Sequence, residues 1–533
     1  MRERYAKEAL TYIPRLLQLI DRNPYSPTYG CFDRSYWHYL TMDFPCGMYQ
    51  EFVLPLTLCF VNNYPGNRFY QKERLRELSI ASIRYANKGS HKDGTCDDYF
   101  PFERAMGALV FSLYACSESY LLLGLDDPEI VAFFKRRGDH LCKKNETGRL
   151  SNHQALAALA LYNVFLITGE DKYRKYSEDR VDLALSWQNK EEGWFQEYEG
   201  ADPGYHTCTI DFLGKLYKKT QNKSLIVPLK KAVDFAWYFM HPDGSYGGEY
   251  GSRNTYHFYP HGFEIMAAFS DKAGQIADHF LRNLPKGKRY YNDDDRMIAH
   301  YVYNWLQAYD DYYEERSIDI NSRANFLQWF SDAKIGICKT DNYYAVANMG
   351  KGGVIKIFNE DGPMDSDTGL IGELNNGAVL ITHLMDAKHF VNANVADSEF
   401  KVAGYFSKRI VKLPTPFKQI VFRLLLLAIG RFNANLVRFI LQKILITGKT
   451  RTKYRFERII RFKDREVEIQ DKLLGVIPNF KKLSLGSDAT SIYVANSNVY
   501  QESVLCEWKH ATLEQINSLK KGNAWVRLIG TKS

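Results

Sequence analysis

The chain has no Cys-x-x-Cys pair and no ligand-spaced cluster of cysteines. Its nine cysteines, at positions 31, 46, 59, 96, 116, 142, 208, 338 and 506, are scattered and odd in number. That argues against a disulfide framework or a zinc module, and for reduced, mostly buried thiols in a reducing compartment. The N-terminus, Met-Arg-Glu-Arg-Tyr-Ala-Lys-Glu-Ala-Leu, lacks the uninterrupted apolar core of a signal peptide. The expected location is therefore the cytoplasm or the inner membrane face, with the cell envelope as the alternative if the N-terminus is incomplete. The most apolar stretch, Phe417 to Ile446, is broken by Arg423, Arg431, Arg438 and Lys443. A membrane span needs about 20 apolar residues in a row, so this segment reads instead as a basic, apolar helical insert. No recognised nucleic-acid motif accompanies the basic residues, which makes nucleic acid a poor partner.

What is present is an excess of aromatic residues: 37 Tyr, 32 Phe and 8 Trp, 14% of the chain. Flat amphipathic rings suit sugar surfaces as well as ordinary packing and interfaces. The length, 533 residues, is too great for one ordinary core and implies two domains. The net charge of +8 is unevenly placed. Residues 401–465 hold 17 Lys and Arg against Glu457 and Asp464, so that segment carries +15 and the remainder −7. Attraction to a polyanion or an acidic membrane is therefore local. The alternative for the insert is a helical hairpin packed on its own protein or on a second subunit.

Helical segments separated by Gly-bearing loops fill the first 310 residues. Asp93-Gly94 precedes a helix from Pro101 to Leu123, Thr147-Gly148 one from Asn152 to Ile167, Glu192-Gly193-Trp194 one from Tyr205 to Lys218, and Asp243-Gly244 one from Tyr259 to Phe269. The glycines at 94, 148, 193 and 244 are 54, 45 and 51 residues apart, about two helices and their turns. Hairpins repeated at this length bury their faces against neighbours in a solenoid or ring, with inner helices apolar almost all round, as Ala155 to Leu161 is. From about Phe326 the pattern changes to short β-rich runs, at 334–338, 343–347, 353–357, 378–382, 455–462 and 466–470. The predicted organisation is a helical domain over 1–325 and an antiparallel β-sandwich over 326–533, interrupted by the insert at about 414–448.

Three polar stretches recur one repeat apart. Asn152-His153 opens one helix, Tyr205-His206 opens the next 53 residues after Asn152, and Gly251-Ser252-Arg253-Asn254-Thr255-Tyr256-His257 precedes a third. In a ring, equivalent positions on successive inner helices face one centre, so Asn152, His153, Tyr205, His206 and Arg253 can meet. Asn152 alone reads as a helix N-cap. His153 and His206 read alone as satisfied first-turn residues, and the Arg253 loop as a structural one.

These stretches resemble the helical toroid of the heparinase II/III-like and alginate-lyase-like polysaccharide lyases. So do Gly30 to Trp37 with Asp43-Phe44-Pro45, and Asp367-Thr368-Gly369-Leu370-Ile371-Gly372 in the sheet domain. The resemblance implies an α/α toroid, an incomplete helical barrel, followed by an antiparallel β-sandwich. It also implies β-elimination on a uronic-acid polymer without a cofactor. Removing the C5 proton requires neutralising the adjacent carboxylate as enolate-like charge forms. Asn152, His153 and Arg253 are the candidates for that. Tyr205 would take the proton and return one to the departing O4, aided by His257. A phenol, with its pKa of about 10, needs nearby cations to serve as a base, and Arg253, His206 or His257 are candidates for them. His206, Asn254, Tyr256, His261, Trp37, Tyr49 and Trp194 are the expected substrate-binding residues. Many relatives carry His-x-His-x-Asp in the first sheet strands. Here the region reads Pro363-Met364-Asp365-Ser366-Asp367, so a bound metal is doubtful, with His383 and His389 as later substitutes. The competing functions are a glycoside hydrolase using Asp93, Asp97, Asp98, Glu103 or Glu249 as its carboxylate pair, and a non-catalytic acidic-glycan-binding or membrane-docked factor of polysaccharide assembly. The expected partners are an acidic polysaccharide and an anionic membrane surface met through 401–465, and nothing in the sequence fixes an oligomeric state.

Overall fold

Six inner helices form a ring in this computed structural model, which describes residues 1–146, 148–284, 296–316, 323–409, 413–442, 450–489 and 500–530. In chain order they are Val53–Val61, Met106–Leu122, Ser151–Thr168, Pro203–Thr220, His261–Met266 and Ile298–Asp310, each packed against the next, and the last returns to the first. Outer helices, among them Glu3–Leu19, Glu73–Lys88, Pro128–Lys143, Asp171–Ser186 and Asp271–Asn283, brace the ring. The inner helices are buried on every side over most of their length, with exposed residues such as Leu122 and Leu166 near their C-terminal ends, and every residue from Ala155 to Leu161 has no exposed surface. The outer ones keep one wet face, as Glu73–Lys88 does with Leu75, Leu78 and Ile83 inward.

Local chemistry sets the helix starts. Asp202 caps the Pro203–Thr220 helix by accepting from the Tyr205 amide, and Pro203 occupies the first turn, where a missing N–H costs nothing. The helix expected from Pro101 begins only at Met106. Upstream, Asp97 accepts from the Phe102 and Arg104 amides and Glu103 from the Asp98 and Tyr99 amides, holding a loop in which Phe102 and Arg104 are left-handed. The last predicted helix is also shorter than expected, His261–Met266 rather than Tyr259 to Phe269.

Beyond the ring, Phe326–Phe330, Ile335–Lys339, Tyr344–Asn348, Val354–Phe358 and Pro363–Asp367 form a five-stranded antiparallel meander. Its residues divide by parity. Tyr344 and Val346 join the core of the helical ring, while Ala345 and Ala347 join a second core with Phe400, Phe456 and Ile460. Covered on both faces, these strands read as unbroken apolar runs. The second sheet has nine strands among the described residues, centred on Glu399–Arg409, Arg451–Phe462 and Glu466–Leu474, and it shows the alternation of a sheet with one wet face. The insert leaves between Glu399–Arg409 and Arg451–Phe462, two strands that pair directly. Thr147, Lys443 and the rest of the insert's predicted end at 443–448 lie outside the described residues.

Candidate functional site

The Ser151–Thr168 helix begins with Leu150 at the cap and no side-chain cap, so Asn152 sits in the first turn and is not an N-cap. Its side chain is fully buried and donates through Nδ2 to Glu197 Oε1 at 2.8 Å, and the Asn152 backbone N–H donates to the same oxygen at 3.0 Å. The Asn152 Oδ1 atom is buried and has no hydrogen-bond partner among the described residues. Glu197 lies on a two-strand hairpin, Gln196–Glu197 with Gly200–Ala201, wedged between the starts of the Ser151 and Pro203 helices; Ser151 Oγ fastens it by donating to Gln196 O. His153, next in the helix, pairs through Nδ1 with Glu146, and its ring packs edge-on against Phe111.

Glu197 is a hub. Its other oxygen, Oε2, accepts from Arg253 Nη1 at 3.0 Å. Burial pushes the Glu197 carboxyl above the usual range, opposed by Arg253 and by the hydrogen bonds from Asn152. Asp202 plays a matching role on the following inner helix: besides capping the Tyr205 helix it accepts from the Arg253 backbone N–H at 2.8 Å and from the Thr255 hydroxyl. One carboxylate thus joins the loop bearing Arg253 to the helix bearing Tyr205. The approach is so close that a Cβ on Gly204 would collide with Thr255 Oγ1.

Tyr205 is 7% exposed. Its ring meets His257 edge-on, centroids 4.4 Å apart, and the Arg253 guanidinium carbon lies 3.7 Å from the Tyr205 ring centroid. Burial raises the phenol pKa well above its ordinary value; Arg253 pulls it down, and Glu197 and Asp202 push it up. With no substrate present Tyr205 is therefore a neutral phenol. Of the cations expected to bias it toward phenolate, Arg253 does so by position. His206 does not: it is fully buried, takes the Phe195 N–H on Nδ1, donates from Nε2 to Ala232 O, and is pushed down to about 4 by burial.

The sheet domain reaches the site through a lysine. Lys351, in the short turn after Tyr344–Asn348, is buried and donates from Nζ to Glu249 O at 2.6 Å, to Gly251 O and to Asn254 Oδ1. Burial lowers it to about 7, against the pull of Asp202 and Glu249. Lys356 anchors the same loop, with Nζ 2.7 Å from Glu249 Oε2 and 3.4 Å from Tyr256 Oη.

The structure therefore brings together Asn152, His153, Tyr205, Arg253, Asn254, Tyr256 and His257, and it gives the other expected residues different partners. His206 is a packing residue of the Pro203 helix between Phe195 and Phe235. His261 opens the next inner helix, where it binds Asp311 at 2.7 Å. Trp37 donates to Leu19 O, Trp194 to Glu192, and Tyr49 packs edge-on against Phe52. The carboxylates considered for hydrolysis are also engaged: Asp97 and Glu103 hold the 98–104 loop, Asp93 pairs with Arg104, Asp98 with Arg296, and Glu249 with Lys356. In the region of the absent His-x-His-x-Asp, Asp367 accepts from Arg458 and Arg527, both at 2.9 Å, which hold it at about 2 despite burial. That segment is a core charge network of the sandwich. His389 binds Gly350 O, and His383 is buried with neither ring nitrogen hydrogen-bonded among the described residues. No group of three or more His, Cys, Asp or Glu side chains able to hold a metal comes together among the described residues.

Glu197, Asp202 and Lys351 are absent from the residues expected on sequence grounds. Asp202 was legible, since Asp-Pro ahead of an apolar helix is a start signal. Nothing in the sequence marks Glu197 or Lys351, whose partners lie 56 and 97 residues away.

No family model and no curated protein matches the sequence. Among solved structures, chondroitin AC lyase of Streptomyces coelicolor A3, in complex with chondroitin sulphate, is similar at a TM-score of 0.58 with 9% identity, over 91% of this chain and 68% of that one. A mutant of the same lyase gives 0.53 over the same shares, also at 9% identity. A mutant unsaturated glucuronyl hydrolase of Streptococcus agalactiae gives 0.41 at 11% identity, over 58% of this chain and 92% of that one. The chain has the fold of the chondroitin AC lyase structure, an α/α toroid followed by antiparallel sheets.

Proposed function

We propose that the chain is a polysaccharide lyase that cleaves a uronic-acid-containing polysaccharide by β-elimination, independently of any metal. The observation that carries this reading is the convergence of Asn152 and Arg253 on one buried carboxylate, Glu197, with the Arg253 guanidinium lying over the ring of Tyr205. The chondroitin sulphate complex of the similar lyase makes an acidic glycan the natural class of substrate to try.

Arg253 and Asn152 neutralise the substrate carboxylate. Arg253 keeps a buried donor, Nε, with no hydrogen-bond partner among the described residues, and Asn152 Nδ2 carries a second N–H besides the one it gives to Glu197, so each retains donor capacity beyond Glu197. Glu197 orients the pair, and His153, held by Glu146, flanks Asn152. With the carboxylate neutralised, C5 gives up its proton to Tyr205 in its phenolate form. The C5–H electron pair becomes the C4–C5 double bond, and O4 leaves with a proton returned by the phenol on the same face. His257 sets the ring's angle through its edge-on contact. The test is incubation with chondroitin sulphate, heparan sulfate and alginate while following the ultraviolet absorbance of an unsaturated uronic-acid end. Release of reducing sugar without that absorbance would assign a hydrolase instead.

A further inference from the structure

The insert carries a feature that the proposed chemistry leaves unused. It runs as a helix, Pro416–Leu425, a π-helical turn, Leu426–Gly430, and a second helix, Ala434–Gln442. Leu426, Ala434 and Val437 are buried, and a Cβ on Gly430 would touch Leu426 and Val437, so the second helix packs back on the turn. The outer face of the insert is apolar and bare: Phe417 is 75%, Ile420 60%, Leu424 59% and Phe432 82% exposed. No residue of the first helix is buried. An exposed apolar surface of this density marks an interaction site.

Charge decides what covers it. Residues 413–442 include Lys418, Arg423, Arg431 and Arg438 and no acidic residue, and the flanking strands continue the excess. Two copies meeting through this face would bring cation against cation, whereas an anionic headgroup layer supplies the opposite charge, with acyl chains beneath for the apolar side chains. No described helix is long and apolar enough to cross a membrane, so contact is from the surface. We propose that the 413–442 hairpin docks the protein on an anionic lipid surface, a role independent of the lyase chemistry. The hairpin is seated on the toroid through Phe422, edge-on to Phe100 at 5.8 Å, and Arg423, 3.2 Å from Asp43. Leu40 and Tyr99, on those toroid loops, are exposed as well.

The test is co-flotation of the full chain with vesicles of equal phosphatidylglycerol and phosphatidylcholine, against phosphatidylcholine alone, at low and high salt. Binding is expected to the anionic vesicles only, to weaken with salt, and to fall about tenfold or more in a Phe417→Glu, Ile420→Glu, Phe432→Glu variant. The three side chains are exposed, so the variant is expected to keep the wild-type unfolding temperature, and lyase activity on soluble polymer provides a second check of the fold. No flotation with anionic vesicles, equal binding to neutral ones, or wild-type binding by the variant would overturn the proposal. A wild-type dimer that the variant converts to monomer, with no vesicle binding, would assign the face to self-association instead.

Discussion

The Arg253 guanidinium lies over the face of Tyr205, its carbon 3.7 Å from the ring centroid. A desolvated cation in that position is worth about 2 kcal/mol and favours phenolate. Burial nevertheless dominates and keeps the hydroxyl protonated. The free protein therefore holds its proposed base in the acid form, with the stabilising cation already in place.

A pH dependence follows. Below the phenol pKa the phenolate fraction grows tenfold per pH unit, so kcat/KM for elimination should climb by about tenfold per unit through the neutral and mildly alkaline range. A plateau below about pH 8 would assign proton abstraction to another group, with His153 the first to examine.

Glu197 raises the Tyr205 pKa and pairs with Arg253. Glu197→Gln should leave Arg253 without that counter-charge and cost about 3 kcal/mol of stability, read as a lower unfolding temperature. The same change should shift the kcat/KM profile toward lower pH. A purely structural role for Glu197 would lower stability and leave the profile where it was.

Lys351 tests the contribution of the sheet domain. Lys351→Met removes the donor to Glu249 O, Gly251 O and Asn254 Oδ1 and frees the loop that aims Arg253. We expect a loss of about 100-fold in kcat/KM, the scale of a 1 Å misplacement, together with a stability loss of at least about 2 kcal/mol from buried unpaired acceptors. Unchanged activity would show that the helical domain holds the loop unaided.

The buried histidines set the acid limit. His206 is held at about 4 and His383 at about 3, below the unfolded value of about 6.5. The unfolded chain then binds more protons than the folded one across that window, so stability falls as the pH drops from about 6.5 toward 4. Unfolding temperatures measured from pH 7 to pH 4 should decline, and His206→Asn should flatten the slope even while lowering the starting value.

Much of this was legible in the sequence because it is local or periodic. Fully apolar helices such as Ala155 to Leu161 told of burial on all sides, and the spacing of Asn152, Tyr205 and Arg253 told of a shared centre. The meander strands read as apolar runs because both faces are covered. Local chemistry defeated the rest. Asn152 looked like a cap and is a donor to Glu197, while His206, placed beside Tyr205 in sequence, points about one residue's turn away around the helix into the packing against Ala232. Residues one apart on a helix do not share a face. Glu197 and Lys351 act through partners on other elements, and a single sequence carries no trace of such pairs.

Tyr205 is assigned the proton transfer in an elimination, and on that assignment the proposed chemistry stands or falls. It is tested by comparing wild type with Tyr205→Phe on an acidic polysaccharide that the wild type cleaves, following the absorbance of the unsaturated product. The substitution removes one hydroxyl and keeps the ring against Arg253 and His257. The expected rate is lower by about 10²- to 10⁴-fold, the worth of a positioned acid–base group, with the unfolding temperature nearly unchanged. Elimination at the wild-type rate by the phenylalanine variant would contradict the assignment.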